Sequence, residues 1–194
     1  MSTLISISLV LFGSVLFAVL YMISLQPKAY SNRIGEKAYF ICGFIRMISM
    51  IFELCIVVGY IIFALRSEYN TSIVNTGILE IRIAGIIFTV LVLAFMFVGV
   101  FAAGKEAAIP NQKTTLYQGI YKFMRHPQTL GEILSWFGIA LILNSLTLLI
   151  YSVIFIPMFV SFTIIEDNDL ALRFGNEYIE YSKRVGIFWK KKNG

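Results

Sequence analysis

Uncharged, mostly apolar runs alternate along the chain with short basic segments. No charged side chain occurs before Lys28, and Leu4–Met22 forms a 19-residue run. That is long enough for a bilayer core of ~30 Å. It lacks the basic leader and the small-residue cleavage pattern of a signal peptide, so it reads as a retained first span. Ile41–Leu65 predicts a second span, interrupted by Arg46 and Glu53. Ile83–Gly104, 22 uncharged residues between Arg82 and Lys105, predicts a third. Ile133–Ile165 is uncharged for 33 residues, which is ~50 Å of helix and too long for one crossing. Two antiparallel helices, Thr129–Leu143 and Leu146–Thr163, with a turn at Asn144-Ser145, account for it. The alternative is one long helix kinked at Pro157.

Basic residues fall in alternate segments. Lys28, Arg33 and Lys37 follow the first span. Lys105, Lys113, Lys122 and Arg125 follow the third, and Arg173, Lys183, Arg184, Lys190, Lys191 and Lys192 occupy the tail. The segment from Arg66 to Arg82 is balanced by Glu68 and Glu80. Positive-inside logic places the three basic segments in the cytoplasm, which requires five crossings and an external N-terminus and so favours the hairpin. In the tail, Leu170, Phe174, Tyr178, Tyr181 and Val185 repeat at helical spacing, with charged residues mostly elsewhere on the wheel. Phe188-Trp189 and the lysines after them read as an interfacial anchor. The expected fold is an all-α polytopic membrane protein. It has five transmembrane helices, the last two forming a C-terminal hairpin, plus a cytoplasmic amphipathic tail helix. Residues 1–104 would hold the three N-terminal transmembrane helices. Residues 105–194 would hold a cytoplasmic loop, the hairpin and the tail.

Composition narrows the class. The 194 residues are 58% hydrophobic and 14% charged, against roughly 45–50% and roughly 25% in soluble domains. A soluble globule and a disordered chain are both excluded. The net charge of +5 follows from topology and requires no nucleic-acid partner. Cys42 and Cys55 would lie ~20 Å apart on one helix, out of disulfide reach. A single histidine and the absence of H-E-x-x-H argue against a metal centre. G-x-S-x-G and G-x-G-x-x-G are also absent, which sets aside hydrolase and dinucleotide-binding folds.

The polar residues at the ends of the hairpin are the candidates for chemistry. Proline keeps His126 out of the α region and suits the first helical position. The free N–H groups of Gln128 to Leu130 then face the membrane boundary, a site suited to a carboxylate or phosphate, and Arg125 adds a two-pronged donor. At the other end stands Glu166-Asp167-Asn168-Asp169. If the hairpin closes, cations meet carboxylates, and a ligand bearing both a carboxylate and an ammonium suits the pair. The plainer readings are a positive-inside anchor, acidic residues favouring a helix N-terminus, and an ion pair with Arg125. Arg46 near the cytoplasmic end suggests snorkelling, and the deeper Glu53 suggests a partner on another helix.

The run Gly119-Ile120-Tyr121-Lys122-Phe123-Met124-Arg125-His126-Pro127-Gln128-Thr129-Leu130-Gly131 resembles the G-x-Y-x-x-x-R-H-P-x-Y-x-G motif of isoprenylcysteine carboxyl methyltransferases. The tail, Glu166-Asp167 … Phe174-Gly175-Asn176-Glu177-Tyr178 … Tyr181 … Arg184-Val185, resembles that family's E-E … F-G-x-E-Y-x-x-Y-x-x-R-V ending. Thr129 stands where the family usually has Tyr, and Asp167 where it has a second Glu. Phospholipid N-methyltransferases and some sterol reductases look similar in this region.

The resemblance implies S-adenosyl-L-methionine as cofactor and S-adenosyl-L-homocysteine as product. By position, the cofactor contacts would be Lys113, Thr114, Thr115, Leu116, Tyr121, His126, Pro127, Gln128, Thr129, Glu166 and Asp167. Arg125 would be the catalytic residue, organising the cofactor's carboxylate side, with Glu166 on its amine. The implied reaction methylates the C-terminal carboxylate of an isoprenylated cysteine at the cytoplasmic membrane face. Such a carboxylate is already ionised at pH 7 and needs no general base. The implied partners are a prenylated or other lipid-like acceptor and membrane lipids. A phospholipid N-methyltransferase, a reductase and a non-catalytic transport or scaffold protein are the competing readings.

Overall fold

A computed structural model describes residues 2–104 and 118–190. Among these, eight α-helices follow one another: α1 (Ser2–Ser24), α2 (Pro27–Ile34), α3 (Lys37–Arg66), α4 (Ile78–Ala103), α5 (Pro127–Ile142), α6 (Leu146–Ser152), α7 (Phe155–Phe174) and α8 (Asn176–Arg184). A 3-10 turn, Gly119–Lys122, precedes α5. Helices α1, α3 and α4 coincide with the three N-terminal spans predicted from sequence, extended by a few residues.

Their outward faces are apolar. Phe12, Phe44, Leu54, Leu91 and Phe101 are all more than half exposed. Such continuous apolar surface suits hydrocarbon rather than water. Four segments among the described residues are long and apolar enough to cross a membrane: Thr3–Ser24, Lys37–Arg66, Ile78–Ala103 and Leu146–Phe174. Helix α5 has 16 residues, or ~24 Å, and falls short of a ~30 Å core by itself. The expected fifth crossing is therefore not among the four.

The turn between α5 and α6 lies where the sequence places it. Asn144 takes a left-handed backbone (φ 50°), and Ser145 caps α6 by accepting from the Leu148 N–H. The Asn144 amide clamps Val74 in both directions, accepting from its N–H at 3.1 Å and donating to its carbonyl at 2.9 Å. The loop between α3 and α4 is thereby tied to the hairpin tip. Beyond the tip, the helix breaks at Val153-Ile154. The N–H groups of Val153, Ile154 and Ile156 bond three residues back, and Pro157 in the first turn of α7 has no N–H to continue the α ladder. The turn at Asn144-Ser145 matches the expected hairpin, and the single long helix kinked at Pro157 does not form; the break before Pro157 lies within the hairpin's second arm.

Two helix pairs dominate the packing, α1 with α3 and α4 with α5. Hydrocarbon-facing helices gain little from apolar burial against each other, so close van der Waals fit decides which pairs form. On α5, Gly131 and Gly138 stand seven residues apart and admit Met96 and Thr89 of α4. A Cβ on Gly138 would lie 2.2 Å from Thr89 Oγ1. An aromatic core joins the two pairs. Trp136 of α5 stacks on Phe155 of α7 at 4.5 Å, Tyr60 of α3 meets Trp136 edge-on at 5.3 Å, and Phe17 of α1 meets Phe162 of α7 at 5.8 Å.

The sequence pattern does not predict α2. It begins at Pro27, and Asp169 of α7 caps it from 140 residues away. One Asp169 oxygen accepts from the Lys28 and Ala29 N–H groups at 2.9 and 3.0 Å, and the other takes Arg173 Nε at 2.9 Å. The tail stripe is buried as expected, with Leu170, Tyr178, Tyr181 and Val185 forming one cluster. However, Gly175 (φ 59°) divides it between α7 and α8. Phe188 turns inward against the main core, while Trp189 is exposed.

Gly138→Ala is expected to destabilise the protein by about 1–3 kcal/mol through overpacking. Thr89→Ala in the same chain removes the colliding hydroxyl and should restore most of the loss. Thermal unfolding in detergent reads both effects.

Candidate active site

The two ends of the hairpin meet. Arg125 Nη2 lies 3.0 Å from Asp167 Oδ2, and His126 Nε2 lies 2.8 Å from Asp167 Oδ1. His126 Nδ1 lies 3.3 Å from Glu166 Oε2. Tyr178 of α8 also donates to Asp167 Oδ1. Local backbone bonds fix this corner. The Arg125 and His126 N–H groups donate to the Gly186 and Ile187 carbonyls. Residues 185–190 close a tight turn there, through Gly186 N–H to the Trp189 carbonyl. Tyr181 donates to the Tyr121 carbonyl at 2.6 Å, and Tyr121 to the Gly99 carbonyl at 3.3 Å. The start of α5, the end of α7 and the tail are thus one unit.

Burial disfavours a charge on His126, but hydrogen bonds from Asp167 and Glu166, and then their charges, overcome it and push the imidazole up to about 9. Both ring nitrogens face a carboxylate, which only the doubly protonated ring satisfies. Tyr178 is held well above its ordinary value by burial and then by the Asp167 charge, so it stays a neutral donor.

A cleft opens beside this corner, lined by Tyr21, Arg46, Ala103, Tyr121, Arg125, His126, Gln128, Thr129, Glu132, Phe159, Phe162, Glu166, Leu170, Tyr178 and Tyr181. It encloses about 800 Å³ of space between atoms, its open mouth included. Of the candidates taken from the sequence, Tyr121, Arg125, His126, Gln128, Thr129 and Glu166 line it. Pro127 instead packs on Gly99 of α4. Asp167 is not on the lining and commits its oxygens to Arg125, His126 and Tyr178. Lys113, Thr114, Thr115 and Leu116 lie outside the described residues. Two buried donors in the cleft, Arg125 Nε and Gln128 Nε2, have no hydrogen-bond partner among the described residues.

The structure adds lining residues that sequence reasoning did not assign. Arg46 does not snorkel. It is buried, donates to the Ser24 carbonyl at 3.3 Å and lies over the Tyr21 ring at 5.8 Å. Glu132 lines the cleft from α5. Tyr178 and Tyr181 lie on the tail's apolar stripe, whose pattern signals core rather than cleft. No cluster of metal-ligating side chains occurs among the described residues.

A family model described as phospholipid methyltransferase matches residues 76–177, which is more than half of the chain. The chain belongs to the phospholipid methyltransferase family. The match contains the hairpin and the whole cation–carboxylate corner. Methanethiol S-methyltransferase 1 of Bradyrhizobium diazoefficiens is 40% identical over 90 residues, covering 45% of this chain and 30% of that protein. The aligned region is thus under a third of that curated relative. No solved structure gives a significant match. With four apolar helices long enough to span, the chain is an integral membrane member of a methyltransferase family.

His126 gains protons on folding, since its folded value of about 9 exceeds the ordinary ~6.5. Its contribution to stability is therefore complete below ~6.5 and is lost as pH rises through about 9. Melting temperature in detergent is expected to fall across that window. His126→Gln should flatten the fall, and an unchanged slope would assign it to other groups.

Proposed function

We propose that this protein transfers a methyl group from S-adenosylmethionine to the sulfur of a thiol acceptor that reaches the cleft from the membrane. Methyltransferases of such families generally use this cofactor, which when bound supplies a methyl group on a sulfonium centre. The observation that carries the reading is the corner itself. Arg125, His126 and Gln128 stand opposite Glu166 around one cleft, inside the matched span.

The residues present fit the cofactor. The unpartnered Arg125 Nε and Gln128 Nε2 are donors for its carboxylate, and charge-assisted bonds of that kind are the strong ones. Glu166 is the acceptor for its ammonium. Tyr121, Leu170 and Tyr181 offer apolar and aromatic surface, and Phe159 and Phe162 close the cleft toward the aromatic core. The chain's contribution to rate is alignment of acceptor and donor and exclusion of water. On the positive-inside rule, the mouth faces the cytoplasm and the N-terminus lies outside.

The thiol is favoured by the partial relative, a methanethiol S-methyltransferase. Methylation of a prenylcysteine carboxylate, implied by the motif resemblance, is the second reading, and the Arg46 cation on the lining favours it. A phosphatidylethanolamine acceptor fits membership of the phospholipid methyltransferase family. Labelled methyl transfer to an alkanethiol, N-acetyl farnesylcysteine and phosphatidylethanolamine separates the three. Cofactor handling is tested by calorimetry with S-adenosylhomocysteine. Glu166→Gln should weaken binding about 10- to 100-fold. Gln128→Ala, which breaks no hydrogen bond shown among the described residues, should weaken it with melting temperature unchanged. A folded wild-type protein that does not bind S-adenosylhomocysteine would end the methyltransferase reading.

A further inference from the structure

Two short segments beside the corner carry side chains that neither the core nor the cleft uses. Lys122-Phe123 precedes Arg125, and Trp189-Lys190 closes the 185–190 turn. Phe123 is 59% exposed and Trp189 72%, and Lys122 and Lys190 are exposed beside them. Phe188 packs into the main core instead, so the turn is anchored on one side and bare on the other. Backbone hydrogen bonds join the two segments. The Arg125 N–H donates to the Gly186 and Ile187 carbonyls at 3.0 and 3.1 Å, and the His126 N–H to the Ile187 carbonyl at 3.1 Å. The turn itself is held by the Gly186 N–H on the Trp189 carbonyl at 2.9 Å and by a bridge between Val185 and Lys190. Ala103, the last residue of α4, lines the same cleft, which puts this corner at the ends of the spans. Aromatic and lysine side chains are the ones that seat at such a boundary, the ring at headgroup depth and the ammonium on anionic lipid.

We propose that Lys122-Phe123 and Trp189-Lys190 seat together on an anionic phospholipid surface, and that this contact tightens cofactor binding in the cleft. The coupling rests on the S-adenosylmethionine reading above. Position and charge select the occupant. Both segments adjoin membrane-spanning helices, and Lys191 and Lys192 follow Lys190 in the sequence. On the positive-inside orientation they face the cytoplasmic leaflet, the one that carries anionic lipid. A neutral surface takes the rings but gives the ammonium groups no counter-charge. The coupling runs through the turn, whose carbonyls hold the backbone of Arg125 and His126 while the side chains of those residues line the cleft. Lipid that fixes Trp189 and Lys190 therefore fixes the start of α5, and less order remains to be imposed when the cofactor binds. By linkage, bound cofactor strengthens the seating of the tail to the same degree.

The test places the full chain in nanodiscs of phosphatidylcholine, with or without phosphatidylglycerol, and measures S-adenosylhomocysteine affinity. Wild type should bind about 5-fold more tightly over the anionic lipid, and high salt should erase the difference. Trp189→Ala/Lys190→Ala keeps the backbone bonds of the turn. It should match wild type in melting temperature and in affinity over neutral lipid, and should lose the anionic gain. Lys190→Arg should keep that gain. Independently of cofactor, Trp189 reports its own seating. Trp136 is enclosed in the core, so the difference between the wild-type and Trp189→Phe emission spectra isolates Trp189, and this should shift to the blue over anionic lipid. Equal affinity in both lipids, equal loss by the double variant in both, or no blue shift would overturn the proposal while leaving the methyltransferase reading intact. Folded wild-type protein that binds S-adenosylhomocysteine in neither nanodisc would end that reading, and the coupling with it.

Discussion

Asp167 accepts from three side chains that arrive on different parts of the chain: Arg125 and His126 before α5, and Tyr178 from α8. It lies in the second half of α7, a 20-residue helix that α6 links to the Asn144 turn. Closing this contact forces α5 and α7 to lie antiparallel with their polar ends level. It also carries a strong constraint. Partly buried carboxylates and cations stripped of water are tolerable only when fully paired, and losing one partner leaves the other uncompensated. The corner forms as a set or not at all. Glu166, the preceding residue, makes the longer 3.3 Å contact to His126 Nδ1 and also lines the cleft.

The rest of the fold serves to place that corner at a seam. Glycine contacts bring α4 and α5 to near-backbone separation, and α1 and α3 form an equally close pair. Between the pairs, the aromatic core fills the half of the molecule away from the corner, where Trp136, Phe155 and Tyr60 interlock. Towards the corner, polar groups line the cleft. A bilayer-embedded protein has little water to satisfy such groups, so they pair within the protein, as Arg46 does with the Ser24 carbonyl. Asp169 fastens α2 to α7 by the same logic, using a carboxylate to satisfy helix N–H groups at the membrane edge.

Much of this was legible in the sequence because lipid imposes simple rules. Span length, charge gaps and the Asn144-Ser145 turn are local signals, and the meeting of Arg125-His126 with Glu166-Asp167 follows once the hairpin is accepted. What was not legible depends on partners distant in sequence. Arg46 looked like a snorkelling cation because its position alone cannot show that the Ser24 carbonyl and Tyr21 ring enclose it. Glu132 sits immediately before an uncharged run, and nothing in that position signals that it lines a cleft. Helix α2 has a polar composition that by itself predicts only a loop, and the cap that stabilises it comes from Asp169. The separate duties of Glu166 and Asp167 could not be divided from sequence, since adjacent carboxylates on a helix differ only in where the helix points them.

The span matched by the family model adds a physical division of labour. It begins at residue 76 and ends at 177, so it contains both ends of the hairpin, Gln128 and Glu132. Tyr21, Arg46 and Glu53 come from helices outside it. On the proposed reading, the residues that would hold the cofactor are supplied by a self-closing hairpin, whose geometry is set by its own turn and its own ion pairs. The groups facing the acceptor are shared between that hairpin and the α1–α3 pair, which touches it chiefly through the aromatic core. Changing α1 and α3 can therefore alter the charge and shape of the cleft floor without disturbing the corner. On that reading, selectivity for the acceptor is encoded in the side chains that α1 and α3 present to the cleft, Tyr21 and Arg46.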